Sequence, residues 1–81
     1  MYYVYVIKSL KDGNVYVGHT NDLKERISEH ARGLVKSTEY RRPLKLLYYE
    51  ASNILKDVLK REKSLKTGFG RRYLKNRLSD L

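Results

Sequence analysis

Two short segments near the start of the chain constrain its fold more than any other feature of the sequence. Tyr2–Ile7 contains only aromatic and β-branched residues, which favour a β-strand. Asp12-Gly13 is typical of a hairpin turn, and Asn14–Gly18 supplies the returning strand. The chain therefore opens as a β-hairpin. Its 81 residues are enough for one small domain, residues 1–81, with a thin core.

The turn also predicts which side chains share a face of the hairpin. A two-residue turn at Asp12-Gly13 places Ser9 opposite Tyr16 and Ile7 opposite Gly18. Strand alternation then puts four residues on one face: Tyr5, Ile7, Tyr16 and Gly18. A ladder of aromatic side chains in the core is one interpretation of this face. The glycine favours another, because a glycine inside a strand often marks the close approach of a ligand or a second backbone.

Capping residues, turn residues and apolar periodicity divide the rest of the chain into a loop and four further elements. They are a helix opened by Thr20–Asp22 that ends near Arg32 before Gly33, a loop over residues 34–43, a strand over Leu44–Tyr49, a helix capped by Ser52-Asn53 that runs to about Lys66, and, after a break at Thr67-Gly68, a helix over roughly 70–79. The order ββαβαα predicts an α/β fold of the α+β kind. It consists of a small three-stranded, mainly antiparallel sheet flanked by helices.

In the first helix, two polar residues fall on or beside the apolar stripe. At about 100° per residue, His30 lies inside the stripe that contains Leu23 and Ile27, and Arg26 lies at its edge. The structural interpretation is a hydrogen-bonded core histidine beside an arginine whose aliphatic stem is buried. The functional interpretation is a cation and an imidazole held side by side for chemistry.

Glu62 raises the same question in the second helix, where it falls in the middle of an apolar arc. The arc consists of Ile54, Leu55, Val58, Leu59 and Leu65. A carboxylate in such a place is costly unless it is paired or binds a metal. One interpretation is a buried ion pair with Arg26. The other is a catalytic acid or a metal ligand, because Mg²⁺ keeps several waters and needs only one or two protein carboxylates.

The charge of the chain points to a polyanionic partner. Lys and Arg number 18 against 9 Asp and Glu, and residues 51–81 carry nine of these cations against three of the acids. Such clustering is typical of nucleic-acid binding, although a solvated surface is the alternative. The chain has no cysteine, which excludes disulfide frameworks, zinc fingers and thiol catalysis. No apolar run is long enough for a membrane span, and we expect a cytoplasmic protein with no membrane partner.

Taken in chain order, the residues singled out above resemble the GIY-YIG nuclease superfamily, and the resemblance spans essentially the whole chain. The first strand motif of this superfamily is represented by Val4-Tyr5, with Tyr3 in place of the leading glycine, and the second by Tyr16–Gly18. The arginine of the first helix is matched by Arg26. The histidine that often follows four residues later is matched by His30.

The second half of the chain continues the resemblance. The metal-binding glutamate of the superfamily is matched by Glu62 within Lys60–Lys63, and the asparagine that follows it is best matched by Asn76. His19 stands nearest to the basic residue that usually follows the second motif. Arg41–Glu50 is similar to the corresponding segment of small stand-alone, excinuclease-subunit-C-like members.

The resemblance implies hydrolysis of a phosphodiester with one divalent metal ion, Mg²⁺ or Mn²⁺. It implies that Glu62 holds the ion and that Arg26 contacts the non-bridging oxygens of the phosphate. Tyr5 would orient or deprotonate the attacking water, a role that requires nearby cations such as Arg26 and the metal to lower its pKa. Tyr16 and His30 would position Tyr5 or relay its proton.

Further residues are candidates for contact with nucleic acid, through backbone phosphates and, for one tyrosine, a stacked base. They are Gly18, His19, Lys36, Tyr40, Arg41, Arg42, Arg71, Arg72, Lys75, Asn76 and Arg77. Solvated surface is the alternative for the basic members. Two functions stay open: a DNA endonuclease with a place in DNA repair, and a nucleic-acid-binding module that keeps the fold but cleaves little or nothing.

Overall fold

A computed structural model describes residues 1–79 and places their elements in the predicted order ββαβαα. The elements are β1 (Tyr2–Ser9), β2 (Val15–Thr20), α1 (Leu23–Ala31), β3 (Leu44–Ser52), α2 (Leu55–Leu65) and α3 (Gly68–Arg77). Within the described residues the strands form one antiparallel sheet in the order β2-β1-β3. The prediction of a three-stranded α+β fold is confirmed.

The hairpin register differs from the predicted one by two residues. Tyr5 pairs with Gly18, whereas the prediction paired Ile7 with it. The loop is wider than two residues, since the Ser9 amide donates to the carbonyl of Asn14 at 2.9 Å. The buried Ser9 hydroxyl organises this loop by accepting hydrogen bonds from two of its amides, at 3.2 and 3.1 Å. Because the shift is an even number of residues, each side chain stays on its predicted face.

The sheet has a different covering on each face. On one face the strands pack against α2 and α3 through a core of Val4, Val6, Val17, Val58, Leu65 and Leu74. On the other face the central strand presents Tyr5 and Ile7, both fully buried, and His30 of α1 packs against Tyr5. Strand alternation therefore separates an aliphatic face from a face that carries polar aromatic groups.

The helix caps are confirmed for α1 and corrected for α2. Asp22 caps α1 by accepting a hydrogen bond from the amide of Glu25, and Gly33 follows the helix with φ at 75°. The N-cap of α2 is Ile54, without a side-chain hydrogen bond, so the predicted Ser52-Asn53 cap is wrong. The reason is that β3 continues to Ser52, three residues beyond its predicted end, and α2 begins correspondingly later.

The α2–α3 corner is held by a capped turn and a glycine. Thr67 caps α3 by accepting from the amide of Gly70, so this helix starts two residues before the prediction. A Cβ on Gly70 would collide with the carbonyl oxygen of Ser64 and the Cα of Leu65. Glycine is therefore required for α3 to pack this closely against the end of α2.

The apolar arc of α2 is only partly buried. Val58 and Leu65 lie in the core, whereas Ile54, Leu55 and Leu59 are 56%, 41% and 42% exposed. Glu62 therefore lies at the edge of the buried face and not in its middle, because α2 contacts the sheet along one side of the arc. No helix among residues 1–79 is both long enough and apolar enough to cross a membrane.

Candidate active site

Tyr5 lies at the centre of the candidate site, and Gly18 makes room for it. The side chain of Tyr5 is fully buried on the central strand, and Gly18 is its partner on the edge strand β2. A Cβ at Gly18 would lie 2.5 Å from the phenolic oxygen and 2.7 Å from Cζ of Tyr5. The glycine of the second motif therefore permits the tyrosine of the first to lie across β2.

The hydroxyl of Tyr5 is held between a cation and an imidazole. Nε of Arg26 lies 3.4 Å from the phenolic oxygen, and Nε2 of His30 lies 2.8 Å from it. An arginine only donates, so the oxygen accepts from Arg26, and Nε2 of His30 is the acceptor within reach of its own proton. The Nδ1 of His30 lies 2.7 Å from Oγ1 of Thr38, within hydrogen-bond distance. We call these four residues, Tyr5, Arg26, His30 and Thr38, the Tyr5 network.

Two pKa shifts characterise this network. Burial, followed by the charge of Arg26, lowers the pKa of His30 to about 4, so its imidazole is neutral near pH 7. Burial raises the pKa of Tyr5, and the opposing hydrogen bond from Arg26 does not cancel that effect. In the protein alone, the shift is opposite to the lowered pKa that a free phenolate would require.

Arg26 also forms an ion pair with Glu29, a residue that the sequence analysis did not identify. Its Nη1 donates to Oε1 of Glu29 at 3.1 Å, and about a third of its side chain is exposed. The spacing of three residues within a helix would have indicated this pair. Both side chains line an open cleft of about 400 Å³ that also reaches His19 and Leu55. A ligand entering the cleft meets Arg26 directly.

Tyr16 completes the aromatic part of the site. Its ring centroid lies 5.3 Å from that of His30, edge to face, and 6.3 Å from that of Tyr5. The rings of Tyr5 and His30 are also edge to face, at 5.5 Å. Tyr16 therefore restricts the orientations open to both rings through packing.

Glu62 approaches the same part of β2 from the opposite face of the sheet. Its Oε1 accepts from Nδ1 of His19 at 2.8 Å, and its Oε2 accepts from Nζ of Lys66 at 3.2 Å. The ion pair with Arg26, one of the two interpretations of Glu62, is not among its contacts: Glu62 pairs with His19 and Lys66, and Arg26 pairs with Glu29. The charge of Glu62 is nevertheless among the causes that raise the pKa of Tyr5, after burial and nearer groups, so the two faces are electrostatically linked.

The donor groups around Glu62 set limits on a metal site. Within residues 1–79, no group of three or more His, Cys, Asp or Glu side chains could enclose an ion. A single carboxylate fits Mg²⁺ or Mn²⁺ when waters and a substrate phosphate supply the other ligands. The side chain of Glu62 is 16% exposed, which leaves it accessible from solvent.

The candidate nucleic-acid contacts fall into two groups. Arg41 and Arg42 are engaged within the protein: Arg41 pairs with Asp12 at 2.9 Å, and Nε of Arg42 donates to the carbonyl of Glu39 at 3.0 Å. The hydrogen bond from Arg41 lowers the pKa of Asp12 to about 2. The remaining candidates away from β2 are exposed, namely Lys36 and Tyr40 in the loop after α1 and Arg71, Arg72, Lys75, Asn76 and Arg77 on α3.

A second tyrosine cluster on the aliphatic face was also missed. The hydroxyl of Tyr48 donates to Oε2 of Glu50 at 2.5 Å and lies 3.2 Å from the hydroxyl of Tyr73. Arg61 donates to both oxygens of Glu50 at 2.9 to 3.1 Å and stacks 4.5 Å from the ring centroid of Tyr73. We call Tyr48, Glu50, Arg61 and Tyr73 the Tyr48 cluster; it joins β3, α2 and α3.

Comparison with known proteins shows the family to which this chain belongs. Residues 1–77 match the GIY-YIG catalytic domain. A UPF0213 protein of Staphylococcus saprophyticus is 40% identical over 67 residues, which are 82% of this chain and 80% of that protein. UPF0213 proteins of Staphylococcus aureus strains Mu50 and N315 are each 39% identical over the same shares. No solved structure matches. The chain belongs to the GIY-YIG family, as its sequence motifs predicted.

Proposed function

We propose that this protein is a metal-dependent endonuclease that hydrolyses phosphodiester bonds in DNA. The observation that carries the proposal is the Tyr5 network, in which one hydroxyl lies between the cation Arg26 and the neutral base His30 beside an open cleft. Membership of the GIY-YIG family, whose matching region is a catalytic domain, supports it.

In the proposed reaction, Arg26 binds the non-bridging oxygens of the scissile phosphate. The phosphate shares this side chain with Glu29, and the charge-assisted contact strengthens as negative charge develops in the transition state. The oxygen of Tyr5 receives a proton from the attacking water while its own proton moves to Nε2 of His30. Tyr5 therefore keeps its proton until the reaction begins and is not a phenolate in the resting protein, which agrees with its raised pKa.

Substrate binding makes His30 a better proton acceptor in this scheme. The charge of Arg26 is the second cause, after burial, of the low pKa of His30. A phosphodiester monoanion paired with Arg26 offsets that charge and raises the proton affinity of the imidazole. The base is thereby strengthened when the substrate is in place.

Glu62 is the proposed metal ligand, with His19 and Lys66 orienting its carboxylate. When bound, Mg²⁺ or Mn²⁺ supplies electrostatic stabilisation of the charge that develops on the leaving oxygen. A Mg²⁺ or Mn²⁺ ion needs only one or two protein carboxylates when water and the phosphate supply its other ligands. Glu62 would be that carboxylate.

The exposed cations of α3 supply the proposed affinity for the DNA backbone. Arg71, Arg72 and Lys75 lie on this helix, and the chain carries a net charge of +9. If about four to six phosphates are contacted, log K falls with log[salt] at a slope of about −4 to −5. Such binding is nearly independent of sequence, which suits a cytoplasmic DNA-repair role. Binding that is insensitive to salt would contradict this assignment.

Nicking of supercoiled plasmid tests the proposal. The wild-type protein is expected to nick in Mg²⁺ or Mn²⁺ and to be inactive in EDTA. Duplex, single-stranded, branched and flapped substrates then define the preferred DNA structure. DNA binding without cleavage of any substrate in either metal would favour the alternative function, a binding module that keeps the nuclease fold.

A further inference from the structure

Thr38 places a fully buried hydroxyl in the loop between α1 and β3. Its neighbours Lys36 and Ser37 are exposed, whereas Thr38 itself has no exposed surface. Two backbone hydrogen bonds fix its position, from its own amide to the carbonyl of Val35 at 3.1 Å and from the amide of Arg41 to its carbonyl at 2.9 Å. The loop therefore delivers one hydroxyl to a defined point in the interior.

That hydroxyl meets the nitrogen of His30 that faces away from Tyr5. Oγ1 of Thr38 lies 2.7 Å from Nδ1, while Nε2 lies 2.8 Å from the phenolic oxygen of Tyr5. Both ring nitrogens of a residue that is 1% exposed are thus engaged by protein groups. A neutral imidazole must donate at one of these positions and accept at the other.

The direction of the hydrogen bonds follows from the one partner that cannot accept. Arg26 donates to the oxygen of Tyr5, so the hydroxyl proton of Tyr5 points to Nε2 of His30. Hydrogen must then sit on Nδ1, where Thr38 is its acceptor. In the opposite tautomer, an N–H at Nε2 would face Tyr5 and displace the hydroxyl proton from its acceptor.

We infer that Thr38 is a positioning residue that holds His30 in the tautomer with hydrogen on Nδ1, so that the lone pair of Nε2 stays directed at Tyr5. The consequence for catalysis rests on the proposed function, whereas the tautomer itself does not. Removing the hydroxyl leaves a buried N–H without an acceptor, which is costly and favours the other tautomer or a rotated ring.

Two matched variants test this inference. Thr38→Val keeps the branched shape and removes the hydroxyl, and Thr38→Ser keeps the hydroxyl. Imidazole ¹⁵N chemical shifts are expected to show hydrogen on Nδ1 of His30 in the wild type and in Thr38→Ser, and loss of that pattern in Thr38→Val. For plasmid nicking, kcat is expected to fall on the order of 10- to 100-fold in Thr38→Val with KM unchanged, and to be largely retained in Thr38→Ser.

The tautomer decides the inference whatever the activity assays give. Hydrogen on Nε2 in the wild type overturns it, even if Thr38→Val fails to fold. A folded Thr38→Val with an unchanged ¹⁵N pattern and an unchanged kcat overturns it as well, as does equal impairment of both variants. The two proposals can fail separately. If the wild type cleaves no DNA, carries hydrogen on Nδ1 of His30, and loses that hydrogen position in Thr38→Val, the proposed function fails and the role of Thr38 stands.

Discussion

The protein holds two tyrosine hydroxyls on opposite faces of one sheet, and they differ in what receives the proton. In the Tyr5 network, with the inferred tautomer of His30, the acceptor is its neutral imidazole. In the Tyr48 cluster it is the carboxylate of Glu50, which Arg61 already binds through both oxygens. Burial raises the pKa of both tyrosines, so the shift alone does not distinguish them.

The difference between the acceptors lies in how each one is held, and the proposed reaction depends on it. Burial raises the pKa of Glu50, but its hydrogen bonds from Arg61 and Tyr48 outweigh that effect and the pKa is lowered overall. A carboxylate stabilised in this way does not take up a proton near pH 7, so Tyr48 keeps its own. The imidazole of His30, with a pKa of about 4, is also unprotonated near pH 7, but the second cause of that low value is Arg26, which lines the open cleft and whose charge a bound phosphate would offset. A tyrosine is suited to proton transfer only where its acceptor can change charge.

Neutralising the two glutamates should separate the regions most sharply. Glu62→Gln is expected to abolish metal-dependent nicking and to change the free energy of unfolding by less than ~1 kcal/mol, because its partners His19 and Lys66 are largely exposed. Glu50→Gln should keep nicking and lose ~1–2 kcal/mol, since Arg61 loses an ionic partner in a half-buried site. Urea unfolding and plasmid nicking on both variants provide the check. A large loss of stability with cleavage retained in Glu62→Gln would refute the metal-site assignment.

Removal of each tyrosine hydroxyl is the next largest expected effect. Tyr5→Phe should lower the nicking rate on the order of 10²–10⁴-fold while the ring still fills its place over Gly18. Tyr48→Phe should leave the rate within a few-fold of wild type and lower the melting temperature instead. Equal rates for wild type and Tyr5→Phe would make Tyr5 a core aromatic.

The pH dependence of stability should report on the Tyr5 network separately. The folded-state pKa of His30 is about 4, below the ordinary value of 6.5. Between pH 4 and 6.5, His30 is therefore protonated in the unfolded chain and neutral in the folded protein. This contribution is complete above pH 6.5 and is lost as pH falls towards 4, by up to ~3 kcal/mol. Urea titrations from pH 4.5 to 7.5 measure it, and His30→Gln should flatten the slope. The carboxylate of Glu50, with its lowered pKa, titrates below this window.

Gly18→Ala carries the smallest expected effect. The new methyl would lie 2.5 Å from the phenolic oxygen, so Tyr5 must move away from Arg26 and His30, and we expect about a 10-fold lower nicking rate. Gly68→Ala is the matched control, because a Cβ there has no neighbour within 4 Å. Equal rates for the two alanine variants would show that the close approach at Gly18 has no part in the reaction.

Regular periodicities made much of this arrangement predictable. Strand alternation placed Tyr5, Tyr16 and Gly18 on one face even though the register was wrong, because the error was two residues. Helical spacing placed His30 in the interior beside Arg26. These predictions used only the repeat of each element, which the sequence displays directly.

Features that depend on how separate elements pack together could not be predicted from these periodicities. The hairpin loop is set by the buried hydroxyl of Ser9, and Thr38 reaches His30 from an irregular loop with no repeat to reveal it. Glu62 lies at the edge of the buried side of α2, where its side chain is 16% exposed. No local pattern encodes a crossing direction, so the buried part of an apolar arc stays unknown until the helix is docked.

The position of Tyr5 on β1 has a consequence for local opening. β1 pairs with a strand on each side, and its buried side chains lie alternately on the aliphatic face and on the face that carries Tyr5. Its amides should therefore exchange with solvent only through global unfolding, among the slowest in the chain. The central tyrosine thus belongs to the most cooperative unit of the molecule and not to a fraying loop. Mild heating should leave the site intact until the whole sheet melts, and inactivation and unfolding should share one transition.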